Sequence, residues 1–374
     1  MSRLPAAERL KTKILTNFVP PLAGRPLGEW LPLMRAHGFD VDLEYWLRAG
    51  LNAVCSSLTT LMKLCEDRKY GRVDDVIVPP PLFVLGHYRS GTTHLHNLLA
   101  VDQHFSFPTM FRLYNPYTFR TFEPLAPVAT FLLPKKRVVD NMAWGHDMPT
   151  EDELALLMLT GLSPYMGFVF PRQWERFQRY LSFREASPEE MKRWREALLW
   201  FLKKLTSVDC RPLLLKSPPH TARVRLLLEI FPGARFVHIH RDPYTVFRST
   251  RQLFDRITAL FTFQRAARND FTERVFRHYR DMHDAYFDER TLIPAGRLCE
   301  VRFADLESDP LGQVERIYNQ LKQPGFNDVQ PALESYLATL KDYRKNEYPP
   351  LTPELRQRIA REWRRSFEEW NYPI

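Results

Sequence analysis

The chain has 374 residues, 44% of them hydrophobic, enough for a substantial core and too few to require two independent domains. Its 53 Lys and Arg against 44 Asp and Glu leave a formal charge of +9, which points toward an anionic ligand or surface. Nucleic acid is not the expected partner, because basic residues are interspersed with acidic ones and no zinc-finger, RNP or basic-zipper pattern occurs.

Cys55, Cys65, Cys210 and Cys299 are scattered without a C-x-x-C pair, so neither a zinc site nor a disulfide framework is indicated and a reducing cytoplasm fits. The first residues lack the continuous apolar core of a secretory signal. The longest apolar stretch, 154–170, is interrupted by Gly161, Pro164 and Gly167 and is too broken for a transmembrane helix. At most a peripheral membrane contact is expected.

Residues 1–75 read as a helical N-terminal layer, with Leu43, Trp46, Leu47, Leu51 and Val54 at three- and four-residue spacings as its packing face. Four short apolar runs follow, at 82–85, 213–215, 236–239 and 298–301, each bounded by turn residues and succeeded by a helical pattern. Continuous apolar runs alternating with helices predict an α/β fold whose central parallel sheet is flanked by helices on both faces. Between the first two runs, residues 101–205 form an insertion rich in aromatics and prolines, expected to cap the sheet and shape a pocket. The same aromatics, from Phe105 to Phe131 and Tyr165 to Phe170, can equally fill a core. A helix over 188–205 is marked by Ser187 as N-cap, Pro188 at its first position and Glu190 completing a capping box. The last helix, 353–370, carries Arg356, Arg358, Arg361, Arg364 and Arg365 among acidic residues and reads as a solvated face.

The segment Gly86-His87-Tyr88-Arg89-Ser90-Gly91-Thr92-Thr93 leaves the first strand and opens a helix with Leu95, Leu98 and Leu99 on its inner face. In that context the loop N–H groups and the helix N-terminus make a phosphate cradle. A magnesium-dependent ATP loop would need Gly-Lys-Ser/Thr, and Thr92 stands where the lysine should be, with the cation moved to Arg89. After the third strand, Arg241 sits where open α/β sheets bind ligands, and Ser249 returns eight positions later on the following helix. A planar guanidinium and a hydroxyl suit a phosphate monoester.

Taken together, 88–93 and 241–249 resemble the sulfotransferase superfamily that uses 3′-phosphoadenosine 5′-phosphosulfate (PAPS), in particular its bacterial-type branch. The resemblance implies one domain over 1–374 with a P-loop-like, three-layer fold, and transfer of a sulfuryl group from PAPS to a hydroxyl or amine of a small-molecule, lipid or glycan acceptor, without a metal. It implies that Arg89 supports the leaving phosphate, that Ser90, Gly91, Thr92 and Thr93 wrap the 5′-phosphate, and that Arg241 and Ser249 hold the 3′-phosphate. Phe303 falls where relatives often have a tyrosine beside the adenine. Arg344 and Lys345 resemble a late element that also contacts the 3′-phosphate, with Asn346 in place of its glycine.

Lys216 and His220, separated by Ser217-Pro218-Pro219, resemble the Lys-x-His of many cytosolic relatives, with a spacing longer by two. Lysine there meets the transferring group and histidine, with its near-neutral pKa, takes the acceptor proton. His220 is the expected base; Glu151 or Asp152, in a run of acids that also reads as a helix start, is the alternative. Two other readings, a nucleotide kinase or NTPase and a non-catalytic anion-binding relative, remain on the sequence alone.

Overall fold

The computed structural model describes residues 20–129, 145–266, 270–340 and 348–374. Four parallel strands, β1 (Leu82–Leu85), β2 (Leu214–Lys216), β3 (Arg235–His240) and β4 (Leu298–Arg302), are arranged in the order β2-β1-β3-β4. Register pairs Leu82 with Leu214 and with Arg235, and Phe236 with Leu298. β1 and β2 are buried throughout, whereas the edge strand β4 alternates between buried and half-buried positions. Continuous apolar runs thus mark strands covered on both faces, β2 at the other edge included, and the alternating run marks β4.

Successive side chains of a strand point to opposite faces, and the core divides accordingly. Phe83, Leu85, Leu213, Leu215 and Phe236 meet the helices Pro188–Thr206, Pro243–Phe261 and Asp270–Glu289 on one face. Leu82, Val84, Leu214, Val237 and Ile239 meet the helices Thr92–Leu99, Pro310–Gln320 and Phe326–Thr339 on the other. The helix Pro188–Thr206 starts as its sequence predicts: Ser187 Oγ accepts from Glu190 N, and Glu190 Oε2 accepts from Ser187 N.

Two expectations need correction. The C-terminal helix is not continuous but two helices, Pro353–Glu362 and Arg364–Glu369, broken at Trp363, whose indole stacks on Tyr279 and donates to Phe276 O. Its arginines are not merely solvated: Arg358 forks onto Glu273, and Arg365 reaches Asp284 and Asp288, so the segment is clamped to the helix Asp270–Glu289. In the N-terminal layer the helix Trp46–Lys69 faces the opposite way from the expected one. Arg48, Asn52, Ser56, Thr59 and Glu66 are buried, while Trp46, Leu47 and Val54 face outward. The reason is local: the turn that precedes the helix Leu27–Ala36 needs polar partners, and Asn52 Oδ1, Thr59 Oγ1 and Thr60 Oγ1 bond Leu22 N, Ala23 O and Leu27 N. Among the described residues no helix is long and apolar enough to cross a membrane.

Residues 101–205 are tied to the sheet by three acids in a row. Glu151 takes Lys216 Nζ at 2.8 Å, Asp152 meets His220 Nε2 at 2.5 Å, and Glu153 accepts both terminal nitrogens of Arg223 at 2.6 and 3.0 Å. Arg223 and Glu153 are fully buried, with Arg223 also donating to Leu181 O and Tyr180 O and Ser163 Oγ donating to Glu153. Removing one partner of such a pair leaves a charge stranded in a low-dielectric interior, whereas replacing both by apolar groups of similar volume is far less costly. Glu153→Ala is therefore expected to destabilise the fold by about 3–5 kcal/mol, and Glu153→Leu combined with Arg223→Met to recover much of that loss. Urea unfolding of the three proteins checks it; equal losses in the single and double variants would contradict the pairing.

Several buried imidazoles make stability pH-dependent. Burial holds His87, His96 and His240 down to about 3, and drives His238, His278 and His283 well below the usual histidine range. Once unfolded, each takes a proton near about pH 6.5. Stability should be full above that value and fall steadily as pH drops from about 6.5 toward 3, because the unfolded chain binds more protons. Denaturant melts across this range should report uptake of several protons on unfolding; a flat profile between neutrality and pH 5 would refute it.

Candidate active site

The strand order reverses between β1 and β3, and the loops leaving their carboxyl ends face one another across that point. Gly86 and Gly91 give the first loop its shape, with φ of 139° and 102°. A Cβ on Gly86 would lie 2.4 Å from Ile239 O, and one on Gly91 would lie 2.3 Å from the Phe303 ring. Only glycine allows the loop to lie this close to β3 and Phe303. Gly86 N donates to Thr221 Oγ1 at 2.7 Å, which joins the loop to the turn after β2. Ser90 Oγ closes the turn on His87 O at 2.6 Å, and Gly91 caps the helix Thr92–Leu99.

Arg89 adopts a left-handed backbone with φ of 67°, uncommon for a residue with a Cβ. Its Nε donates to Ser249 Oγ at 2.7 Å and its Nη2 to Tyr348 OH at 3.3 Å, while Ser249 Oγ donates to Tyr348 OH at 2.8 Å. From β3, Arg241 reaches back to Arg89 O at 3.4 Å and lays its guanidinium over the Phe303 ring at 4.1 Å. Burial lowers the Arg241 guanidinium below its ordinary range, with Glu307 opposing that shift and Arg89 adding to it. Arg89, Arg241, Ser249 and Phe303 are thus neighbours, as the sequence reading requires. Asp242, beside them, does not touch Arg241's fork; it caps the helix Pro243–Phe261 by accepting from Thr245 N. Arg344 and Lys345 lie outside the described residues.

Beyond the β2 end of the sheet the second group of side chains begins with Lys216, itself almost fully buried. The Glu151 carboxylate it holds also accepts from Tyr165 OH at 2.5 Å, and the Tyr165 ring lies 6.1 Å from that of Tyr88. Burial first, and Glu151 next, push both phenols well above their ordinary range, so both stay protonated, and Tyr165 donates to Glu151. The Glu151 side chain is 18% exposed. His220 differs: it and Asp152 are enclosed, with the imidazole edge-on to Phe83 and Trp194. Tyr165 and Arg223 beside the acids, Tyr348 beside Arg89 and Ser249, and Thr221 on Gly86 were not singled out from sequence. Tyr348 follows the Arg344-Lys345 element closely enough to have been found; a lone threonine or tyrosine in an apolar stretch offers no signal.

A loop whose two glycines leave no room for Cβ atoms sits beside two guanidinium groups and a hydroxyl, groups that suit anionic oxygens. The aromatics of the insertion, in contrast, are largely core: Phe105, Phe111, Phe119, Tyr165, Phe168 and Phe170 are buried.

A family model described as the sulfotransferase family matches residues 80–328, spanning the sheet and both phosphate segments. The omega-hydroxy-beta-dihydromenaquinone-9 sulfotransferase Stf3 of Mycobacterium bovis is 33% identical over 355 residues, 94% of this chain and 91% of its own. That of Mycobacterium tuberculosis matches to the same extent. Among solved structures, sulfotransferase STF9 from Mycobacterium avium superposes with a TM-score of 0.68 at 24% identity, covering 88% of this chain and 87% of its own. Sulfotransferase STF1 from Mycobacterium tuberculosis H37Rv gives 0.61 at 19% identity, with 86% and 87% covered. The structural likenesses establish the fold; the family match and the relatives aligned over most of both chains establish that the chain belongs to the sulfotransferase family and is an enzyme that transfers a sulfuryl group from PAPS to an acceptor.

Proposed function

We propose that the loop 86–93 acts as a P-loop-like cradle in a single three-layer domain and that Lys216 and Glu151, rather than His220, carry the chemistry at the acceptor. In this reading Ser90, Gly91, Thr92 and Thr93 wrap the 5′-phosphate, Arg241 and Ser249 hold the 3′-phosphate, and Phe303 packs on the adenine. Arg344 and Lys345 join the 3′-phosphate contacts by resemblance. PAPS supplies an activated sulfuryl group whose leaving group is a phosphate. Arg89 and Lys216 then oppose the negative charge that builds up as that group departs.

The observation that carries the acid–base assignment is the Glu151 carboxylate between Lys216 Nζ and Tyr165 OH, with part of its surface open. A base must reach the proton it takes, and the enclosed His220–Asp152 pair offers no such access. Lys216 and Tyr165 orient Glu151; His220, through Asp152, positions the neighbouring backbone. The acceptor is proposed to be a hydroxyl on a long apolar molecule, a reading supported by the names of the two relatives at 33% identity. Four unpaired thiols support a reducing, cytoplasmic setting.

If the two guanidinium groups and the loop form the nucleotide site, 3′-phosphoadenosine 5′-phosphate should raise the melting temperature by mass action, while ATP with magnesium should do so far less. Because side-chain cations supply the positive field in this reading, excess EDTA should leave turnover nearly unchanged. A thermal-shift titration in which ATP with magnesium matches the bisphosphate, or a metal-restored loss of turnover, would count against it.

Glu151→Gln should lower kcat by about 10²–10⁴-fold with little change in KM for PAPS, the signature of a lost general base. His220→Gln should lower stability but keep turnover per folded molecule within about tenfold, as expected of a positioning residue. Arg241→Ala should chiefly raise KM for PAPS, because its phosphate is held about equally in ground and transition states. Steady-state kinetics on an acceptor found by labelled-PAPS screening checks all three, and the reverse ranking of the first two would return the base to His220.

A further inference from the structure

The outward face of the helix Trp46–Lys69 is apolar along most of its length. Trp46, Leu47, Val54, Leu58, Leu61 and Leu64 are each 51–61% exposed, and of the charged residues between Glu44 and Asp67, Arg48 and Glu66 are buried and Lys63 is half-buried and paired with Asp67 at the end of the ridge. Charges return at both ends, with Glu44 held by Arg265 before the ridge and Asp67, Arg68 and Lys69 after it. This orientation is enforced from beneath. Arg48 donates to Thr262 O, Asn52, Thr59 and Thr60 bond the 22–27 turn, and Glu66 accepts from Thr121 N and pairs with Lys204. Rotating the helix to hide its leucines would strand all of those buried polar groups.

We infer that this ridge docks on a lipid bilayer surface, lying in the plane of the interface. From Trp46 to Cys65 the ridge is about 30 Å long and about 10 Å wide, so two copies packed through it would bury only about 600 Å², half of what a stable interface between two chains requires. A bilayer needs no matching partner surface and accepts a convex apolar ridge, with a tryptophan at one end suited to the headgroup boundary. The formal charge of +9 favours a membrane carrying anionic lipids. The inference rests on this surface and is independent of the acceptor's identity; it does place the enzyme where an apolar acceptor would be found.

Flotation of the full chain with vesicles of phosphatidylcholine and phosphatidylglycerol, and with phosphatidylcholine alone, tests it. Wild-type protein should float with the mixed vesicles, and Leu58→Glu combined with Leu61→Glu should reduce the bound fraction by about tenfold or more. The bisphosphate-induced thermal shift should be retained in the double variant, since neither leucine belongs to the nucleotide site. Failure of the wild type to float, equal binding by the variant, or a wild-type dimer dissociated by the same substitutions without vesicle binding would each overturn the inference. Loss of the thermal shift in wild-type protein would instead fall on the nucleotide-site assignment.

Discussion

Everything at the acceptor end of the molecule depends on the register between Glu151-Asp152-Glu153 and Lys216, His220 and Arg223. Consecutive acids meet basic side chains spaced by four and three residues, because the strand end at Lys216 passes into a short turn, Pro218–Ala222, before the helix Val224–Ile230 begins. The three pairs are graded in burial. Glu153 and Arg223 are sealed in the core, with the guanidinium also over the Phe183 and Trp194 rings, Asp152 and His220 are enclosed among rings, and Glu151 keeps part of its carboxylate open. Two desolvated charges hold their place only with good geometry and supporting hydrogen bonds, so the innermost pair fixes the register and the outermost one inherits its position. The partly open carboxylate of Glu151 thus sits at the outer end of a structural device.

The nucleotide end depends on a different constraint, close approach of backbone to backbone. Parallel strands in the order β2-β1-β3-β4 open a crevice between β1 and β3, and glycine at 86 and 91 lets the first loop lie against β3 and Phe303. Arg89, in a left-handed conformation between them, is turned toward Ser249 and Tyr348. A hydrogen bond from Gly86 N to Thr221 Oγ1 links the cradle to the turn that bears His220.

Much of this was legible before any coordinates. All four strands lie within a residue or two of the apolar runs, because burial on both faces removes polar residues from a strand, and the capping box at Ser187 is a local signal that needs no tertiary context. That Arg89, Arg241 and Ser249 are neighbours was legible because each stands at a fixed offset from a strand end. The pairing of acids with the 216–223 segment was not legible: Pro149 to Glu153 reads as a helix start, and the helix does begin at Glu153, but no local pattern says which distant cation each carboxylate meets. Sequence carries the residue type and spacing that single out His220 and does not carry its enclosure with Asp152.

The helix Trp46–Lys69 shows where periodicity misleads. A pattern of three- and four-residue spacings identifies a face, and the assumption that the apolar face turns inward holds only where the neighbour is itself apolar. Here the neighbour is an irregular turn at 22–27 whose N–H and C=O groups have no strand or helix to join. Buried backbone groups without partners cost more than exposed leucines, because hydrophobic surface in water forgoes a gain while an unpaired amide in the interior incurs a penalty. Asn52, Thr59 and Thr60 meet that need, and the leucines are left outside. An apolar face held outward by specific polar contacts beneath it is not free to bury itself by rotation, and it can be covered only from outside the helix.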